Sequence, residues 1–368
     1  LHSAQLGHLS EGANDTRLCW RWNSFMTIAN PKQPALPVAL LDGWQRELAA
    51  AVRDPAELLR LLELDHSHLL EPAQQAARLF PLVVTRSFIG RMRKGDPADP
   101  LLLQVLPLQA ELETAVGYSA DPVGDLAATR APGLLQKYHG RALLVTTGAC
   151  AIHCRYCFRR AYPYDSAGFR PGYREEIRAA LLADPTLEEV ILSGGDPLTL
   201  SNGKLEQILE VLAEIPHIRR VRIHSRLPVV LPGRIDAGLL DTLARFRFRF
   251  IHVIHANHPR EIDDAVAKAV SRLLNTGAPV LNQSVLLKGI NDSAPTLIEL
   301  SQKLIDIGVM PYYLHLLDRV QGAYHFETDT AKAIELLQIL QQRLPGYMVP
   351  KLVREEKGKP GKTSISID

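Results

Sequence analysis

Three cysteines, Cys150, Cys154 and Cys157, fall within the segment GACAIHCRYCFRR, while the fourth, Cys19, lies far away. Their CxxxCxxC spacing lets three thiolates hold three irons of a [4Fe-4S] cluster and leaves the fourth iron open to a small chelating ligand. Open coordination implies reactivity. Two plainer readings stand beside it: a zinc site completed by a histidine such as His153, and buried thiols. Zinc sites usually pair cysteines as CxxC with a second, distant pair, which this sequence lacks. Thiols gathered in one stretch suit a metal site better than a disulfide framework, which predicts a reducing, cytoplasmic setting.

A reactive centre needs elements to position it. From residue 141 onward short β-rich runs alternate with amphipathic periods, and the pattern predicts strands over 142–148, 189–194, 220–225, 250–256, 279–287 and 309–315. Six β/α units in a row predict an α/β fold with a parallel sheet, as either a doubly wound open sheet or an open TIM-like barrel. Unusual polar residues stand just past the strand ends: the cysteines, Gly194-Gly195-Asp196, His224-Ser225-Arg226, His255-Ala256-Asn257, Asn291-Asp292, and His315 with Asp318. Contributions from every strand favour a barrel mouth over a single crevice.

Upstream, leucines at spacings of three and four predict a helical region, with Asp54-Pro55 opening its second helix. Residues 94–107 read as a connecting loop and then an apolar segment that packs on the downstream β/α region. The domain reading is a polar segment over 1–37, a helical region over 38–135, a partial barrel over 136–345 and a C-terminal segment over 346–368. The alternation RFRFRF (245–250) is read as a helix end entering a strand. The basic KGKPGK stretch reads, by composition alone, as a solvated end.

Composition narrows the function. With 368 residues, 46% of them hydrophobic and 22% charged, the chain reads as globular. Lys and Arg number 42 against 40 Asp and Glu, so a formal charge of +2 argues against a broad basic nucleic-acid surface. No apolar run of eighteen residues predicts a membrane span, and the first residues carry no export signal. The expected ligand is small.

The cysteine motif, with Tyr156 before its last thiol and SGGDP at 193–197, resembles the radical S-adenosylmethionine (SAM) superfamily. Further segments narrow the resemblance to the lysine 2,3-aminomutases: GRALLVTTG, HSRLPVVLPGRI, HANHPREI, LNQSVLLKGIND, PYYLHLLDRVQGAYHFET and GYMVPKLVREEKGKPGKT. Within that family the sequence is most similar to the short EpmB branch, which makes β-lysine for modification of translation elongation factor P. The longer members continue well past the motif that ends here at Lys362.

The resemblance implies a partial (β/α)6 radical SAM barrel holding a [4Fe-4S] cluster, SAM and pyridoxal 5′-phosphate (PLP). It implies Cys150, Cys154 and Cys157 as cluster ligands and Tyr156, Gly194, Gly195, Asp196 and His224 as SAM-binding residues. Lys362 becomes the lysine that carries PLP, and Arg141 a contact to its phosphate. Arg159 is expected to pair with the carboxylate of L-lysine, and Asp318 and Glu355 with its ε-ammonium. A cation at one end and two anions at the other select a zwitterionic diamine. Implied partners are a reducing electron donor and a ligase that uses β-lysine. The sequence departs from the longer members at Glu355, at the run before Lys362 and at His315, whose role the resemblance leaves open.

Overall fold

The computed structural model describes residues 43–64, 68–166 and 171–366, so the polar segment over 1–37 lies outside the described residues. Its strands are β1 (Thr129–Ala131), β2 (Leu134–Tyr138), β3 (Arg141–Thr147), β4 (Glu189–Gly194), β5 (Arg220–Ser225), β6 (Arg249–Ile254), β7 (Val280–Val285), β8 (Met310–His315), β9 (Lys351–Arg354) and β10 (Thr363–Ser364). They form one sheet whose spatial order follows the chain from β1 to β10. Pairing is parallel from β3 to β9 and antiparallel at both ends. A doubly wound sheet reverses its strand order at a switch point. This sheet never does, so it is an open barrel.

The six predicted strands stand within two residues of their expected bounds. Two boundaries differ. The division expected at 135/136 falls inside β2, and β9 makes a seventh parallel strand out of the segment expected to stand apart at 346–368. Neither KLVR nor LLQKY is long enough to announce itself by alternation; each is held by its neighbours.

The helices start where short polar side chains catch free backbone N–H groups. Ser201, Asp236, Asp263, Ser293 and Asp329 cap Asn202–Ala213, Ala237–Ala244, Asp264–Leu274, Ala294–Asp306 and Thr330–Arg343. Asp54 caps Pro55–Leu61 through the Ala56 N–H, as expected. Leu205, Leu209 and Leu212 of one helix join Val221 and Ile223 of β5 in the main apolar core. The pleat then puts Arg220, Arg222 and His224 on the opposite, concave face of β5. An ordinary barrel fills that face with branched apolar side chains. Here it is charged.

The upstream region is α-helical only to Ile89 and continues as turns with short 3-10 helices at Gln109–Leu112 and Leu126–Ala128. It docks on loops that come after β5 and β6: Thr85 Oγ1 donates to the Val230 carbonyl, and Arg91 to the carbonyls of Val229 and Glu261. Asp99 anchors the 94–107 stretch. It is fully buried, accepts from the backbone N–H groups of Arg93, Leu101 and Leu102, and pairs with Arg260 at 2.6 Å. Replacing Asp99 by alanine strands three donors and a guanidinium, so the variant is expected to lose about 3 kcal/mol. Urea midpoints at constant slope measure this, and an unchanged midpoint refutes it.

Candidate active site

The cysteine loop leaves β3 through Gly148, and its first residues are bound to the end of β4 through the backbone. Gly195 N donates to Thr147 O at 2.7 Å and Asp196 N to Ala149 O at 2.8 Å. A Cβ on Gly195 would lie 2.3 Å from Ala149 O, and one on Gly194, which has φ +121°, would lie 2.6 Å from Thr147 O. Both positions require glycine. Further along, Arg155 is fully buried between the second and third cysteines and grips Glu111 with two hydrogen bonds of 2.8 and 2.6 Å. Arg160 adds a 2.7 Å pair to the same carboxylate and a bond to Gly322 O, which makes it a structural arginine.

The three thiols are free and half-buried. Burial, reinforced by the neighbouring thiols and Asp196, pushes Cys150 well above its ordinary value; burial lifts Cys157 to about 11. Cys150 and Cys157 stay protonated until a metal displaces the protons. Among the described residues no three His, Cys, Asp or Glu side chains converge on a single-ion site. His153 Nδ1 donates to Pro81 O and the ring stacks on Phe80, so it is engaged away from the thiols. Three separate sulfurs on one pinned loop fit a cluster that takes one sulfur per iron. Arg226 Nη1 lies 2.7 Å from Cys154 Sγ, and the same guanidinium also holds Glu261 and Gln104.

Two expected SAM-site side chains are committed elsewhere. Asp196 accepts from Ser225 Oγ, Arg226 N and Leu198 N, and burial raises its carboxyl to about 6 despite these bonds. The Tyr156 phenol meets Asn257 Nδ2 at 2.5 Å and its ring packs edge-on against Phe326. Both therefore lock loops together. His224, by contrast, has a buried Nε2 without a partner and sits edge-on to His255, whose Nε2 is likewise unpartnered; burial holds both rings neutral. Orphaned buried nitrogens of this kind suit a polar ligand.

The concave face carries the charges. Arg159 Nε lies 2.6 Å from Asp125 Oδ2, Lys137 Nζ 2.5 Å from Asp125 Oδ1 and 2.9 Å from Glu355 Oε1, and Glu355 Oε2 2.8 Å from Lys362 Nζ. Burial opposes the Glu355 charge, but Lys362 and Lys137 outweigh it and hold the carboxyl at about 2. Asp318 faces the same group without a cation of its own; burial, then the Glu355 charge, raise it to about 7. Lys362 is no solvated end. The two residues that follow it pair along β9, Thr363 with Arg354 and Ser364 with Val353, and Nζ lies 5.6 Å from the Tyr313 ring centre. Arg141 rests 4.6 Å from the Tyr138 ring centre, and among the described residues its guanidinium makes no hydrogen bond, which suits a phosphate. Lys362 and Arg141 thus fit PLP. His315 lies beneath Tyr313 on the same strand with its Nε2 buried and unpartnered.

Asp125, Lys137, Glu111 and Arg155 escaped the sequence reading. Asp125 stands in DPVGDL, indistinguishable there from any turn, and Lys137 in a strand too short to reveal its inward face. Only the cysteines beside Arg155 could have drawn attention to it.

Residues 144–300 match the Radical SAM superfamily. The chain is 47% identical over 327 residues to the L-lysine 2,3-aminomutase of Escherichia coli, covering 89% of this chain and 95% of that protein. The Haemophilus influenzae protein of the same name is 44% identical, covering 90% and 98%. That of Clostridium subterminale is 35% identical, covering 88% of this chain and 77% of its own length. Among the described residues no helix is long and apolar enough to cross a membrane.

The Asp318 carboxyl keeps its proton to about 7 in the folded chain, whereas an unfolded aspartate ionises near ~4. Between those values the folded state holds the extra proton, so this group's contribution to stability is lost as pH rises. Thermal melts of wild type and Asp318→Asn are expected to diverge in favour of the variant as pH rises from about 5 to about 7.5. A difference that stays constant with pH rules the assignment out.

Proposed function

The chain belongs to the L-lysine 2,3-aminomutase family of the radical SAM superfamily, and from that premise we propose that its barrel lumen converts L-lysine into β-lysine. One observation carries the reading: a single run of ion contacts joins Arg159, beside the cysteine loop, to Glu355 and Lys362 at the other end of the sheet. Arg159 holds the α-carboxylate, and Glu355 with Asp318 holds the ε-ammonium. Lys362 carries PLP, Arg141 meets its phosphate, and Cys150, Cys154 and Cys157 hold the cluster. Gly194, Gly195 and His224 line the SAM site. When bound, the cluster and SAM supply the radical that removes a substrate hydrogen, and PLP supplies the conjugated group through which the nitrogen migrates.

The protein's own contribution is placement and exclusion. Two carboxylates beside the ammonium subsite repel glutamate and leave a neutral side chain of similar length unable to pair them. The upstream region, docked over the loops after β5 and β6, shields the lumen from water and oxygen. A reducing partner must supply the electron. The resemblance to the short branch, supported by 47% identity to the Escherichia coli protein against 35% to the Clostridium subterminale one, extends the proposal to a ligase that attaches the β-lysine to elongation factor P.

Anaerobic incubation of cluster-reconstituted protein with SAM, PLP, dithionite and L-lysine is expected to yield β-lysine by chiral mass spectrometry. Lys362→Ala and Cys154→Ala are each expected to abolish it. SAM cleavage to 5′-deoxyadenosine without β-lysine would refute lysine as the substrate and keep the radical chemistry.

A further inference from the structure

Five charges alternate without a break through the lumen, Arg159, Asp125, Lys137, Glu355 and Lys362, and only three of them have a part in the reaction proposed above. Asp125 and Lys137 remain. Their side chains are 3% and 17% exposed, and ions so placed are retained only when their geometry is well satisfied.

Position makes these two residues informative. Asp125 ends the loop before β1, held there because Asp121 accepts from the backbone N–H groups of Asp125 and Leu126. Lys137 is on β2, near one end of the strand order; Glu355 directly follows β9, near the other. The 2.9 Å contact from Lys137 to Glu355 therefore bridges the gap that the open sheet leaves between its ends. Asp125 completes the bridge to Arg159, whose fork it fixes at Nε while Ser193 Oγ accepts from Nη1 at 3.1 Å. The group that grips a carboxylate and the group that grips an ammonium are thus linked directly by two intervening side chains, in addition to the path through the sheet.

We infer that Asp125 and Lys137 are positioning residues that set the distance between Arg159 and Glu355, and so the length of diamino acid the lumen accepts. The inference rests on the substrate roles proposed for Arg159 and Glu355. A lost link frees one end of the clamp to shift, and a misplacement of about 1 Å is close to the length one methylene adds. A residue that merely stabilised the fold would lower binding of long and short substrates alike.

The test uses the reconstituted holoenzyme with L-lysine and L-ornithine, which is one methylene shorter. Equilibrium affinity is read by titration calorimetry, kcat and KM by product formation, and folding by thermal melts. Asp125→Asn and Lys137→Met are expected to weaken lysine affinity about tenfold, to raise KM more than they lower kcat, and to narrow the preference for lysine over ornithine. Lys137→Arg, which keeps the charge, is expected to restore most of that preference. Should Asp125→Asn fail to fold, Lys137→Met and Lys137→Arg decide the matter. Equal losses for the two amino acids, a fall in kcat alone, or no change overturns the inference. Wild-type protein that binds lysine in preference to ornithine yet forms no β-lysine would overturn the proposed reaction and leave the spacing to be judged from affinity.

Discussion

Arg159, Lys137 and Lys362 meet Asp125 and Glu355 where no side chain is more than 20% exposed, and an unpaired ion there costs several kcal/mol. Charge on the concave face of a barrel can persist only if every ion finds a partner. Alternation along the run meets that condition, and it does so by joining elements that the sheet keeps apart. The open barrel is held closed at this level by ion contacts. Lys137 cannot leave Glu355 without exposing Asp125, and Asp125 cannot move without freeing Arg159.

The cysteine loop obeys a different constraint. A loop proposed to present three sulfurs to one cofactor cannot wander, yet it contains no regular structure from Gly148 to Cys157. Rigidity comes from beneath and from the side. Gly194 and Gly195 let β4 approach to backbone contact, which no side chain would permit, while Glu111 accepts from both Arg155 and Arg160. Asp196 and Tyr156 belong to this support: each spends its polar atoms on neighbouring loops.

Much of this was legible in the residues. Period-two runs such as RVRIHS and long amphipathic helices are local signals, and they placed six strands and the helices between them. Strand order was not local, but polar residues past every strand end favoured a barrel over a doubly wound sheet, and the sheet order from β1 to β10 bears that out. β9 and β2 were missed because four or five residues carry too little alternation. The cysteines announced themselves by spacing, whereas Lys362, Arg159, Asp318 and Glu355 were reached only through resemblance. Asp125 and Lys137 were invisible for a plainer reason: an ion pair across twelve residues and two turns leaves no pattern in sequence, and its meaning depends on Glu355, 218 residues further on.

The charge count of the lumen bears on how a substrate enters it. Three cations face two ionised carboxylates, and Asp318 is poised near 7 because burial and Glu355 both disfavour its charge. The Lys362 ammonium occupies the carboxylate expected to receive the substrate's ε-ammonium. Were Lys362 to hold PLP as proposed, Glu355 would be open to a new cation. A substrate ammonium placed there would favour negative charge on Asp318 as well, so the second carboxylate would join the grip. Asp125 stands at the other end in the position a substrate carboxylate would compete for, paired with Arg159 but balanced by Lys137. In the proposed reaction Lys362 and the substrate ammonium would therefore compete for the same carboxylate, Glu355.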